Sequence, residues 1–418
     1  MKLAWRNLWR NKLRTSIMLS AMVFGLMGVV AMMGFMTGMY ANMIENAIAW
    51  QTSDLQVHNR KYVDNPDLKL IIQSPDKITD ALADIPEVKA WSARFLVDGM
   101  VASARSSRGI RINGVDSYDE ARVTPLASRL VEGSWLAQEG RHPVLVSQKT
   151  ADRLRLRLGS KVVLTFSNID KDVTGAAFRV IGIFTTPSTG FDDSNLYVRR
   201  GDLMKLAGIE GVHEIAIVLN TTNSKIGSHF SNELALQVKA KLEFVLETAN
   251  TDKLNSIRDW QEIQPMLATI ISQIGVSNAI VLGIFMLAMG FGIINIMLMS
   301  VFERTREFGV LMAVGMQKHK VFTLIILETG LLGVTGGILG VCGAWTLVTI
   351  LQITGIELGA MAEGVGALGV DTTLYPQVSA GEYLLTLVTV VVVSLFAALY
   401  PARQILKLSP VDAMSEKH

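Results

Sequence analysis

Four stretches of the chain run without a lysine or arginine: Ser16–Tyr40, Val276–Phe302, Val321–Leu351 and Glu382–Tyr400. Each is about the length a helix needs to cross a hydrocarbon core of roughly 30 Å, the last being the shortest. The pattern predicts four membrane spans, at 16–40, 276–302, 321–351 and 382–400. Ahead of the first stands "MKLAWRNLWRNKLRTS". On a helix Trp5, Leu8, Trp9 and Leu13 share one face, while Arg6, Arg10 and Arg14 lie four apart on another. Indole rings beside cations suit the headgroup layer, so residues 1–15 are expected to form an amphipathic elbow on the membrane surface. Ala47-Ile48-Ala49 has the form of a cleavage site. The apolar run before it is longer than a signal-peptide core of about 7–15 residues and is broken by glycines, so the span is read as uncleaved.

Orientation follows from the cations beside the spans. Arginines and lysines precede span one, populate the 303–320 loop (Arg304, Arg306, Lys318, Lys320) and return in the 401–418 tail. The 352–381 loop has none and carries Glu357, Glu363 and Asp371. Both termini and the 303–320 loop are expected in the cytoplasm. Residues 41–275 and the 352–381 loop are expected outside.

The outer region patterns as α+β. "SPDKITDALADIPEV" reads as a short helix with Ser74 as N-cap and Pro75 at the first helical position. Alternation on both sides of Ser106-Ser107 predicts a hairpin. "HPVLVSQKTADRLRLRLGSKVVLTF" reads strand, helix, glycine turn, strand. "FRVIGIF" and "HEIAIVLN" add strands, and "SNELALQVKAKLEFVL" is an amphipathic helix. From Ser256 a helical periodicity runs on into span two, predicting a stalk at about 260–275 that includes Trp260 and Pro265.

Composition narrows the class. Half of the 418 residues are hydrophobic, only 18% are charged, and the net charge is +2. That is too apolar for an ordinary soluble enzyme and too neutral for a nucleic-acid binder. The one cysteine, Cys342, lies within span three, so no internal disulfide can form. The histidines show no metal-ligand spacing, and there is no G-x-S-x-G elbow and no G-x-x-x-x-G-K-[ST] phosphate loop. Asp192-Asp193 is read as part of a solvated loop. Asn220-Thr221-Thr222 is a sequon of a kind common by chance. No catalytic residue, metal site or cofactor is expected in this chain.

Two patterns do suggest a role. The loop "ERTREFGVLMAVGMQKHK" pairs Glu303, Arg304, Arg306 and Glu307 with an apolar run ending at Gly315, which suits docking to a cytoplasmic partner. Span three carries the G-x-x-x-G pairs Gly333/Gly337 and Gly336/Gly340, which let helices approach closely. Just before them, Glu328 places an ionisable group inside the span. Such a group must snorkel toward the headgroups or find a buried partner.

The order elbow, span, large outer domain, three spans accompanies the loop pattern E-R-x-R-E-x-G-x-x-x-A-x-G and the ending "YPARQILKLSPVDAM". Together these resemble permease subunits of the FtsX/MacB/Lol group of ABC transporters, the type VII or mechanotransmission systems. The resemblance covers nearly the whole chain. It implies a dimer with a second copy or paralogue, and two copies of a separate ABC ATPase subunit that binds ATP and Mg. Glu303, Arg304, Arg306, Glu307, Gly309, Ala313 and Gly315 would form the coupling helix. The outer domain would divide into a porter-like α/β part and a β-rich part at about 95–184. It also implies a bacterial inner-membrane location with the large domain in the periplasm.

Within that group the glycine series and the Tyr-Pro-Ala-Arg ending are most similar to the lipoprotein-releasing branch. Lipoprotein or lipid-like cargo is therefore expected, with Met33, Met36, Tyr40 and Ile280 as contacts near the outer leaflet, where methionine gives an adaptable apolar surface. The turn at Asn168–Ala177 is short and has no proline, which departs from the branch member that recruits a periplasmic carrier. Efflux of a drug, peptide or haem-like compound with a fusion protein is the alternative. A signalling permease that activates a periplasmic hydrolase is another.

Overall fold

The computed structural model describes residues 12–136, 140–220, 233–248 and 254–407. The expected elbow lies almost wholly outside these residues, as do the end of the tail and most of the sequon. The chain divides into two compact units. One comprises residues to Met39, Ser272–Ile356 and residues from Tyr375; the other comprises Tyr40–Ile271 and Glu357–Leu374.

The first unit is helical. Helix α1 (Lys12–Ala47) leads into a π-helical turn at Ile48–Thr52 and stops at Ser53, whose backbone has φ 54°. Three more long helices follow the outer domain, and all four are long and apolar enough to cross a membrane. Their common core gathers Leu26, Val30 and Met33 with Met286, Ile293, Ile325, Val390 and Ala402. The cluster needs no polar group because no water competes for these surfaces. Shape and close approach decide the packing instead.

The second unit is α+β. In chain order it contains β1 (Leu55–Asn59), α2 (Pro75–Ala83), β2 (Val88–Ala102), β3 (Ser107–Val115), α3 (Ser117–Val123), β4 (Leu130–Gly133), β5 (Pro143–Ser147) and α4 (Gln148–Leu154). Then come β6 (Lys161–Ser167), β7 (Val173–Phe184), α5 (Thr189–Ser194), β8 (Asn195–Arg199), α6 (Arg200–Ala207), β9 (Glu214–Leu219), α7 (Glu233–Thr248), β10 (Asn255–Asp259) and α8 (Trp260–Ile263).

Strand β2 is fifteen residues long and serves two sheets. Its first half pairs with β9, through Arg94↔Glu214, in the sheet β10-β1-β9-β2. Helices α2 and α7 cover one face of that sheet and bury Ile78, Leu82, Val238 and Leu242 against Val57 and Ile217. From Phe95 onward β2 pairs with β3, and at Met100–Ala102 also with β6. The ladder then closes through β3, β8, β5, β7 and β6 back to β2, a ring around a core of Phe95, Ile112, Val146, Leu164 and Phe178, with β4 paired to the end of β7 as an edge strand. This β-rich part takes in β8 and so extends beyond the expected limit at 184. The parallel pairing Ile112↔Leu196 joins strands too distant in sequence for a local pattern to reveal.

The expected Ser106-Ser107 hairpin forms as β2–β3. Two local expectations need correction. Ser74 precedes α2 in a left-handed conformation and makes no side-chain cap, while Pro75 does stand at the helix start. The periodicity from Ser256 is not helical throughout: Asn255–Asp259 is a strand paired with β1. Asp259 then starts α8 with a capping box, its carboxylate accepting from the Glu262 backbone N–H at 2.8 Å. Pro265, which has no N–H to offer a preceding turn, begins the long helix α9 (Pro265–Glu303) afresh.

The remaining elements are α10 (Thr305–Ala313), α11 (Lys318–Thr354), β11 (Ile356–Glu357), α12 (Ala362–Gly366), β12 (Thr373–Leu374) and α13 (Ala380–Lys407).

Candidate functional site

Helix α9 breaks at Arg304, where the backbone turns to φ −107° and ψ 9° before α10 begins. The guanidinium folds back into the helix bundle. Its Nη1 donates to Glu328 Oε1 and Oε2 at 3.2 and 3.1 Å, and its Nε donates to Glu307 Oε2 at 3.2 Å. It also lies over the Phe308 ring, 5.1 Å from the centroid. Glu328 is buried, so the ionisable group in α11 has found a partner and does not snorkel alone.

Helix α10 is held on one side and open on the other. Phe308 and Gly309 are buried, whereas Val310, Leu311 and Val314 stand exposed. Gly315 has φ 102°, a conformation that L side chains rarely adopt, and it reverses the chain toward α11. Glu303 and Arg306 are exposed, and Ala313 is exposed on the last turn of α10. The result is a short amphipathic helix presenting apolar side chains and charges together.

The glycines of α11 are contact points on two sides. A Cβ on Gly336 would lie 2.9 Å from the Met22 sulfur, and one on Gly340 would lie 2.5 Å from Leu26 Cδ1, both on α1. On the opposite side, a Cβ on Gly333 would lie 2.5 Å from the Ser394 side chain, and one on Gly337 would lie 3.0 Å from Leu387 Cδ1. The overlapping G-x-x-x-G pairs therefore seat α11 between α1 and α13.

A polar cluster that the sequence reading passed over ties three of these helices. Asn278 Nδ2 donates to Thr37 Oγ1 and to Glu382 Oε1, both at 3.2 Å, and Glu382 accepts from the Ser379 backbone N–H at 2.7 Å. Asn278 was the available signal, since a lone amide in an apolar run must find partners.

The other expected residues fall as follows. Met33 is buried in the helix core, Met36 and Tyr40 are half-buried, and Ile280 is exposed. Met33 thus packs against protein and offers no surface to a ligand. Trp260 is buried at the start of α8, and Pro265 opens α9. Asp192 is not in a solvated loop: it is buried, and its carboxylate accepts from the Thr186 hydroxyl at 2.8 Å and from the Thr186 N–H. Desolvation holds its pKa above the usual carboxylate value. Asp193 pairs with Arg108 and Arg153. No cluster able to hold a metal ion occurs among the described residues.

Comparisons with known proteins agree with this architecture. Residues 15–234 match the family model of the MacB-like periplasmic core domain, and residues 279–410 match that of the FtsX-like permease C-terminal region. The macrolide export ATP-binding/permease protein MacB of Acinetobacter baylyi is 26% identical over 94% of this chain and 56% of its own length. An uncharacterized ABC transporter permease of Methanocaldococcus jannaschii is 23% identical over 68% of this chain and 64% of its own. The chain thus spans a little over half of the length of the curated relatives it matches. Among solved structures, the periplasmic region of MacB from Actinobacillus actinomycetemcomitans aligns with a TM-score of 0.38 and 15% identity, over 55% of this chain and 97% of that one.

Proposed function

Because the chain belongs to the MacB/FtsX family of ABC transporter permeases, we propose that it converts ATP hydrolysis by a separate ATPase subunit into work on cargo outside the membrane. The family consists of transporters rather than catalysts. It implies an ABC ATPase as partner, and α10 is the surface that fits one. The observation that carries this reading is the contrast within α10: Arg304 and Phe308 anchor it to the helix bundle, while Val310, Leu311 and Val314 stand free. An apolar face rimmed by Glu303, Arg306 and Glu307 suits insertion into a groove of a soluble subunit. In this reading both termini and α10 face the cytoplasm of a bacterial inner membrane. A second permease copy or paralogue completes the assembly, and ATP and Mg reside in the ATPase pair.

Motion would pass along α9, which runs without a break from Pro265 to Glu303. Cargo is an amphiphile. Lipoprotein release is one form of it, entering beside Met36, Tyr40 and Ile280 from the outer leaflet. MacB-like efflux of a drug, peptide or haem-like compound fits the same architecture equally well, and an FtsX-like signalling role is a third form. Photo-crosslinking from positions 36 and 280 in native membranes separates them. Lipoprotein adducts that disappear on ATP turnover support release, and their absence while a soluble compound is captured supports efflux.

A further inference from the structure

The extracytoplasmic unit contains a cavity of about 770 Å³, a volume usual for sites that hold small organic ligands. Every wall belongs to that one unit: the end of α1 with the π-helical turn, the face of β3, helix α5, the start of α9 and the loop after α12. Trp50, Leu96, Phe191, Leu267 and Leu368 supply apolar surface.

Between them stand neutral amides with unused capacity. Gln264 Nε2 donates to Gln51 Oε1 at 2.8 Å, which leaves Gln51 Nε2 and Gln264 Oε1 without partners among the described residues. Asn113 Nδ2 donates to Asn195 Oδ1 and Leu196 O, both at 3.1 Å, leaving its own Oδ1 unengaged among the described residues. A donor and an acceptor held side by side match the N–H and C=O of a peptide group.

Charge narrows the ligand further. Arg94 is buried and donates to Glu214 at 2.6 Å and to Glu120 at 3.0 and 2.7 Å. Arg111 pairs with Asp98 at 3.0 Å. Glu120 does not line the cavity; the lining carries Arg94 and Arg111 against Asp98 and Glu214, and both guanidinium groups are already paired. A phosphate headgroup or an acidic side chain therefore finds no unpaired cation among the described lining residues to offset its desolvation.

We propose that this cavity binds a short, apolar, uncharged peptide segment of the cargo ahead of its movement. The proposal rests on the permease reading and adds its recognition site. An anionic amphiphile such as phosphatidylglycerol is disfavoured, because its phosphate would enter without a free counter-ion.

Gly109 provides the test. It lies on β3 on the same face as Arg111 and Asn113 and lines the cavity, and a Cβ there would meet only Gly99 O, at 4.0 Å. A large side chain at 109 fills the space without a backbone clash. The full chain in phosphatidylcholine nanodiscs is titrated with a dansyl-labelled tetrapeptide amide built of three leucines and a serine, read by anisotropy. Saturable binding is expected. An analogue with glutamate in place of serine should bind at least about tenfold more weakly. Gly109→Phe should lose about tenfold or more in affinity with an unchanged melting temperature, while Gly109→Ala retains binding. Absence of saturable binding, indifference to Gly109→Phe, or displacement by short-chain phosphatidylglycerol with equal affinity for both peptides would each overturn the proposal. Capture of the ATPase at α10 is measured separately. If it persists while peptide binding fails, only the cavity assignment falls; if it fails, the permease reading falls with it.

Discussion

Arg304 reaches back from the break between α9 and α10 to place its Nη1 within 3.2 Å of both carboxylate oxygens of Glu328 on α11. The pair joins the end of one long helix to the interior of the next, at the point where α10 begins. The start of α10 is thereby tied to both flanking helices.

Removing one partner of this pair strands the other. Glu328→Ala leaves a largely buried guanidinium without its counter-ion, a change that costs about 3–5 kcal/mol in buried pairs. Replacing both, as Arg304→Met with Glu328→Leu, should recover most of that loss. Thermal unfolding of the full chain in nanodiscs checks it. A single variant as stable as the parent would contradict a buried pair.

The glycines of α11 make a sharper prediction because their neighbours differ. Gly340→Leu forces side-chain atoms into Leu26 and should cost about 1–3 kcal/mol by overpacking. Gly283→Ala on α9 meets nothing within 4 Å and should be neutral or slightly stabilising, since alanine favours helix by about 1 kcal/mol. Equal melting shifts for the two variants would contradict the packing described.

How much of this could be read from the sequence differs by element. The four spans were legible because a membrane crossing imposes length and apolarity along one continuous stretch. The β2–β3 hairpin was legible because its partners are neighbours in sequence. The closure of the ring through β8 was not, since Ile112↔Leu196 is a non-local parallel pairing. The Asn255–Asp259 strand reads as helix from Ser256 on because a five-residue stretch satisfies either period. At the site, Glu328 announced itself as a charge in an apolar run. Its partner did not, because nothing in the sequence says that Arg304 folds inward instead of outward.

His213 and His58 should make the outer unit less stable in acid. His213 Nδ1 accepts from the Leu96 N–H at 3.1 Å, which a protonated ring could not do, and burial disfavours charge on both His213 and His58. Burial lowers both pKa values from the ordinary 6.5. The unfolded chain binds protons at about that value while the folded chain does not. Stability is thus fully present above pH 6.5 and falls as pH drops below it toward the folded pKa values. Melting temperatures of the full chain across pH 5–8 check the direction, and a rise on acidification from neutral pH would contradict it.

Topology is open to labelling. Gln317→Cys should be reached only from the cytoplasmic side, and Asn168→Cys and Gly366→Cys only from outside, in a Cys342→Ala background. Outside labelling of position 317 would contradict the four-span orientation.

If α10 carries the contact with an ABC ATPase, site-specific photo-crosslinking in native membranes should capture it. A photoreactive residue at Val314, exposed at the end of α10, should give an adduct whose partner is identified by mass spectrometry as an ABC ATPase. Gly309→Pro, which removes a helix hydrogen bond and costs about 3 kcal/mol, should abolish that adduct while the chain stays in the membrane. An adduct with any other protein class, or an ATPase adduct that survives Gly309→Pro unchanged, would contradict the account.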